Sequence, residues 1–220
     1  MSAANKRISV VIADDHPIFR KGLITILQNN NDFEIICETD NGNDAAELIE
    51  KYNPDAAVLD IDMPGKSGVE VAETLRGKNL TTAVIFLTMF KEKDLFDEAM
   101  ELGVKGYVLK DSALTEITDC IRAAAKGEFY ISPALSTFVV QRSAEIKQFK
   151  INNPSIGKLT PSELTILKLI AQHKTSKEIA GNLNISVRTV EHHRANIAEK
   201  LDLKGSQALL KFALENKSML

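Results

Sequence analysis

Between residues 7 and 126 a short Val- and Ile-rich run gives way five times to a segment of helical period, and few folds accept that rhythm. The runs are Ile8–Ala13, Phe33–Thr39, Ala56–Asp60, Ala83–Thr88 and 107–109. They are apolar on consecutive residues, as strands buried on both faces are. The helical segments are 18–28, 44–52, 69–76, 95–102 and 114–125. Five such units with short connections predict an α/β fold with a doubly wound, five-stranded parallel sheet. Sheets of this kind gather their reactive groups in the crevice at the carboxyl ends of the strands.

After residue 127 the rhythm stops. Gly127 ends a helix, Ser132-Pro133 predicts another running to about Gln148, and 152–157 has the Asn, Pro, Ser and Gly of a linker. From Thr160 onward only helical patterns remain. Thr160-Pro161-Ser162-Glu163 and Thr175-Ser176-Lys177-Glu178 are capping boxes, Ser186 caps a third helix reaching about Leu201, and Ser206 opens a fourth. A short helix, a tight connection at 182–185 and a longer helix form a helix-turn-helix pattern. The expected division is a domain at 1–127, a partly helical linker at 128–157 and an all-α domain at 158–220.

Charge supports that division. Residues 158–220 carry 10 Lys/Arg against 6 Asp/Glu, which leaves 17 against 24 for residues 1–157 within a total of −3. An acidic front and a basic tail predict different partners. No apolar stretch approaches the ~20 residues of a membrane span. Cys37 and Cys120 lie apart without a CxxC spacing, which argues against a disulfide scaffold and a zinc ribbon. Segment 1–7 is polar, unlike a secretory signal. The expectation is a cytoplasmic protein with no membrane association.

The chemistry gathers at strand ends. The first strand ends in Asp14-Asp15-His16-Pro17 and the third in Asp60-Ile61-Asp62-Met63-Pro64-Gly65. Three carboxylates at one sheet edge repel one another unless a cation lies between them. Hard oxygen ligands with positions left open for water and phosphate suit Mg²⁺. The fourth strand ends in Thr88 and the fifth is followed by Lys110, adding a hydroxyl and an ammonium to the same edge. Metal, lysine and hydroxyl together can hold a phosphoryl group, and a carboxylate can attack phosphorus to form an aspartyl phosphate. Asp60, which ends the central strand, is the best placed.

Residues 7–127 thereby resemble the receiver domain of two-component response regulators, with Asp14, Asp15, Asp60, Thr88 and Lys110 matching its motif in order. The resemblance implies that Asp60 accepts phosphate from a histidine kinase. It implies that Asp14, Asp15 and Asp60 hold Mg²⁺ together with the backbone carbonyl of Asp62. Thr88 would turn toward the phosphate, and Tyr107, matching the switch aromatic, would swing inward after it. Three departures stand out. Asp111 follows Lys110 where many receivers carry proline, so no cis bond is predicted. Met89 is bulkier than the small residue often found there, and the acid at Asp62 occupies a position that tunes loss of the phosphoryl group.

In the tail, Ile179, Leu183, Ile185, Val190, Ile197 and Leu201 recur at spacings that face inward on two crossing helices. The other face of the longer helix shows Arg188, Glu191, His192, Ala195 and Arg194, a positive surface suited to a major groove. His192 and His193 are adjacent and point about 100° apart, a poor arrangement for sharing one ion. Residues 158–215 closely resemble the helix-turn-helix output domain of the LuxR-type (NarL/FixJ) subfamily. The match runs from Leu159-Thr160-Pro161 through Lys177-Glu178-Ile179-Ala180 and 186–191 to Lys200-Leu201. It implies Lys177, Arg188, Thr189, His193 and Arg194 at DNA phosphates, and Glu191, His192 and Ala195 facing bases. Gly181 departs from the charged or alanine residue common in that helix.

The function expected is a phosphorylation-controlled transcription factor that forms a homodimer on double-stranded DNA. Two rivals are weighed beside it: a metal-dependent phosphatase passing through an aspartyl phosphate, and a receiver whose tail regulates a protein partner.

Overall fold

The computed structural model describes residues 6–78, 80–205 and 207–220. The chain divides into two compact units, the first ending at Val139 and the second beginning at Val140.

The first unit alternates strand and helix: β1 (Ile8–Ala13), α1 (Pro17–Gln28), β2 (Phe33–Thr39), α2 (Gly42–Tyr52), β3 (Ala56–Asp60), α3 (Gly68–Leu75), β4 (Ala83–Thr88), α4 (Lys93–Leu102), β5 (Gly106–Leu109) and α5 (Lys110–Ala125). All strand pairs are parallel, in the order β2-β1-β3-β4-β5, with a sixth strand, β6 (Tyr130–Ile131), on the outer edge of β5. Alternate residues of each strand feed two cores. Val11, Ala13, Leu59 and Phe86 pack with α2, α3 and α4, whereas Val10, Ile12, Val58 and Ile85 pack with α1 and α5. Burial on both faces is why these strands are apolar throughout.

The sheet has six strands, where the rhythm predicts five. The extra one, β6 (Tyr130–Ile131), pairs Gly106 with Tyr130 and Tyr107 with Ile131. Two residues are too few to make an apolar run, and the neighbouring glycine and proline gave this stretch the look of a linker. It is held by backbone bonds to β5, Tyr130 N–H to Lys105 and Ser132 N–H to Tyr107, each 2.9 Å. The helix predicted over 133–148 is a 3₁₀ turn, Pro133–Leu135, followed by α6 (Ser136–Asn152). Ser132 does not cap it. Its buried hydroxyl donates instead to Glu116 at 2.7 Å. Helix α5 starts four residues before the predicted 114, directly after β5, so Lys110 is a helical residue.

The second unit contains α7 (Pro161–Ala171), α8 (Ser176–Leu183), α9 (Val187–Lys200) and α10 (Ala208–Glu215) around Ile166, Ile170, Ile179, Val190, Ile197 and Leu209. Thr160 and Thr175 close both capping boxes, and the Ser186 hydroxyl accepts from Thr189 N–H. Asn184 turns the chain between α8 and α9 at φ 52°, a left-handed conformation that asparagine tolerates. Ser206, expected to open the last helix, lies outside the described residues; α10 is preceded by Gln207, whose side chain makes no cap. No helix among the described residues is long and apolar enough to cross a membrane.

Candidate functional site

The strand order reverses between β1 and β3, and the crevice beyond their carboxyl ends is where such sheets place ligands. Asp14 directly follows β1 and is fully buried, while Asp15 beside it is half-exposed. Asp14 Oδ1 accepts the His16 N–H at 2.8 Å, and its carbonyl accepts from Arg20. Asp60 is the last residue of β3 and 3% exposed. Behind it α3 begins on Gly68, where a Cβ would lie 2.4 Å from the Asp60 carbonyl oxygen. Only glycine lets that helix come so close.

Lys110 is 5% exposed and opens α5. An ammonium at the positive end of a helix, out of water, is unfavourable on both counts. Two carboxylates keep it there. Its Nζ donates to Asp60 Oδ2 at 2.6 Å and forms an ion pair with Asp14 Oδ2 at 2.9 Å. Desolvation pushes the Asp60 carboxyl up to about 6; Lys110 opposes the rise, and the charges of Asp14 and Asp15 add to it.

The remaining predicted residues lie on neighbouring elements. Thr88 ends β4, is buried, and its hydroxyl is engaged by its own turn, accepting from Phe90 N–H at 3.1 Å. Met89 beside it is exposed. Tyr107 in β5 is 1% exposed, edge-on to Phe96 at 5.4 Å and to Phe86 at 6.5 Å. Its buried hydroxyl lies beside Thr88, and burial pushes the phenol well above its usual range. Asp62 is exposed in the loop after β3. The structure thus brings Asp14, Asp15, Asp60 and Lys110 into one cluster, with Thr88 and Tyr107 on the adjoining strands.

The donor set fits a hard divalent cation. One ligand atom each from Asp14, Asp15, His16 and Asp60 lie within 4.8 Å of one another. Asp14 Oδ2 and Asp15 Oδ1 are buried oxygens that accept no hydrogen bond, although each touches a nitrogen, Lys110 Nζ at 2.9 Å and His16 Nδ1 at 2.7 Å. Three carboxylates facing one buried ammonium keep a surplus of negative charge, and their oxygens suit a hard divalent cation. His16 escaped the sequence reading. Its only signal was its place between the acid pair and Pro17.

In the second unit, Lys177 on α8 and Arg188, Thr189, Glu191, His192 and Ala195 on α9 are exposed, while His193 and Arg194 are half-buried. Val190 and Ile197 are fully buried, so Arg188, Glu191, His192 and Ala195 share the outer side of α9, whereas His193 and Arg194 lie toward the side that Val190 and Ile197 bury. Thr189 is committed locally, its amide donating to Ser186 Oγ at 3.0 Å and its hydroxyl lying 2.8 Å from the same oxygen. That leaves one fewer free amide at the start of α9.

Comparison with known proteins extends the geometry. The family described as response regulator receiver domain matches residues 10–122, and bacterial regulatory proteins of the luxR family match 157–213. A receiver coupled to a LuxR-type DNA-binding domain defines a response regulator acting as a transcription factor. The oxygen regulatory protein NreC of Staphylococcus aureus is 35% identical over 96% of this chain and 98% of its own. A LuxR-family DNA-binding response regulator from the same organism is 40% identical over 54% of this chain and 98% of the solved one, with a TM-score of 0.52. The solved complex of the response regulator RcsB with DNA covers 94% of this chain and 98% of its own, at 25% identity and a TM-score of 0.57. This chain belongs to the NarL/FixJ-type response regulators.

Proposed function

We propose that Asp60 is the phosphoacceptor of this regulator, taking a phosphoryl group from a sensor histidine kinase. The observation that carries this reading is the Asp60 carboxylate at the end of β3, held 2.6 Å from a buried lysine and beside two further acids. An Asp60 oxygen attacks phosphorus. The new P–O bond forms as the P–N bond of the phosphohistidine breaks, and the leaving imidazole takes up a proton. Lys110 moves with the charge, exchanging part of its pairing with Asp60 for the phosphoryl oxygens. Asp14, Asp15 and Asp60 with the Asp62 carbonyl hold Mg²⁺, which when bound offsets the negative charge gathering on phosphorus. Loss of the phosphoryl group to water is slow, and Asp62, at the mouth of the site, tunes it.

The Thr88 hydroxyl donates only to the Phe90 carbonyl at 3.4 Å; phosphorylation gives it a stronger acceptor, and Tyr107 follows on the adjoining strand. The bistable element is β4, its following turn and β5. The signal passes from the receiver at 1–127 through 128–157 to the DNA-binding domain at 158–220, favouring a homodimer on paired half-sites of double-stranded DNA. There Lys177, Arg188, Thr189, His193 and Arg194 meet phosphates, and Glu191, His192 and Ala195 face bases. The protein acts in the cytoplasm.

The test treats wild type and Asp60→Asn with acetyl phosphate and Mg²⁺, then follows phosphate incorporation, mass in solution and DNA binding. Wild type gains label, dimerises and binds DNA more tightly. Equal labelling of the Asn variant refutes the assignment.

A further inference from the structure

We propose that Phe138 is the positioning residue through which the switch at Tyr107 reaches helix α6, with the ring of Phe96 standing between them. The inference rests on the reading of Asp60 as phosphoacceptor and Tyr107 as switch, and concerns how that change leaves the receiver.

Tyr107 touches the segment 128–157 in two ways. Its backbone pairs with Ile131 of β6, and its carbonyl accepts the Ser132 N–H at 2.9 Å. Its ring stands edge-on to Phe96 of α4, with centroids 5.4 Å apart and planes at 80°. Phe96 in turn lies 5.8 Å from Phe138, at 46°. Three rings therefore run from β5 through α4 to the first turn of α6. Leu135 and Phe138 pack into the same apolar core as Tyr107.

Packing makes these rings move together. Tyr107 and Phe96 are each buried, and in a core as dense as a crystal a ring that moves displaces its neighbours. Edge-to-face pairs have few favourable geometries, so the displacement falls into discrete arrangements. Phe138, at the end of the row, is half-buried and has room to respond. The backbone route through β6 lacks this sensitivity. Its ladder bonds are made by main-chain groups, which a rotation of the Tyr107 side chain leaves in place.

Helix α6 suits the receiving end. Residues 136–152 include no glycine or proline to absorb a shift. Phe138 and Phe149 lie about three turns apart on one face. Phe138 packs within the first unit, and Phe149 packs within the second, 6.5 Å from Phe212 of α10.

The experiment treats the full chain with acetyl phosphate and Mg²⁺ and follows amide exchange by mass spectrometry. In wild type, phosphorylation should change exchange in the peptide 136–152 by about fivefold or more. Phe138→Leu keeps apolar bulk at the anchor and removes the ring. Without phosphate its α6 should exchange as in wild type. With phosphate the change in α6 should fall below about twofold, while the turn after β4 still responds. Phe96→Leu should act alike, and the double variant should lose no more than either. Thermal unfolding checks that the variants fold, and Phe138→Leu alone decides if Phe96→Leu does not. A residue that merely anchors α6 would shift exchange in both states and leave the phosphate-dependent difference standing, which overturns the proposal. So does a response of wild-type size in either single variant, a further loss in the double variant, or an α6 that ignores phosphate in labelled wild type. Label is read on the same samples. Its absence from wild type removes the phosphoacceptor reading, and its presence beside an unaltered Phe138→Leu response removes this inference alone.

Discussion

Asp60 shows what it costs to hold one carboxyl at a buried strand end. Water is excluded from it, Asp14 and Asp15 repel its charge, and a single lysine offsets part of both effects. Its native pKa of about 6 lies above the ordinary value of 3.8. Between those values, without divalent cation, the native state keeps a proton that the unfolded chain has already released. Native stability therefore falls as pH rises through that window, and the penalty is complete above it. Asp60→Asn carries no such group. We expect the variant to be more stable than wild type in chelator at pH 7.5 by an amount on the order of 2 kcal/mol, and the difference to shrink toward pH 4. Mg²⁺ should narrow the difference at pH 7.5 by stabilising wild type. Urea unfolding at the two pH values, with and without Mg²⁺, measures it. A difference independent of pH would show that burial does not control this carboxyl.

At the scale of elements, Glu163 does two tasks with one carboxylate. It returns the Thr160 cap by accepting that residue's N–H at 2.7 Å, and it takes Lys200 Nζ at 2.9 and 2.7 Å, fastening the start of α7 to the end of α9. Lys200, then the Thr160 amide, holds its pKa down at about 2, below the ordinary 4.5. A depressed carboxyl contributes stability that is present above the unfolded value and lost as pH falls toward the native one. The Lys200 side chain is 34% exposed, so solvent screens the pair and the energy is discounted. Glu163→Gln should destabilise the helical unit by about 1–2 kcal/mol at pH 7. Between pH 4.5 and 2 wild type should lose that advantage while the variant changes little, which helical circular dichroism during denaturation can follow.

For the whole molecule, function requires that chemistry at one end of the chain alter binding at the other. The two tasks use different physics. The receiver gathers negative charge at its strand ends, and the basic tail answers the charge of DNA. Binding to phosphates releases counterions, so its strength should fall steeply with salt. Arg188→Ala should weaken DNA binding across sequences and lower the slope of log K against log salt by about 1. It should leave phosphate incorporation at Asp60 untouched. Fluorescence anisotropy over a salt series reads the slope, and an unchanged slope would remove Arg188 from the phosphate contacts.

The alternation of apolar runs with helical segments was enough to specify a parallel α/β sheet, because burial on both faces demands that composition and nothing else satisfies it. The strand-end acids, Thr88 and Lys110 were legible for the same reason: a parallel sheet sends every strand's carboxyl end to one edge. Capping boxes at Thr160 and Thr175 were equally plain, being local chemistry within four residues. Tertiary structure alone decided the rest. Strand β6 exists because β5 offers a free edge to two residues that have no strand pattern of their own. Ser132 gives its hydroxyl to Glu116, sixteen residues away, instead of capping the turn that follows it. Lys110 is buried because two carboxylates distant in sequence neutralise it, and His16 joins the cluster because a turn folds it back. Periodicity records what each residue does with its neighbours in the chain, whereas desolvation and charge pairing depend on partners that only folding supplies.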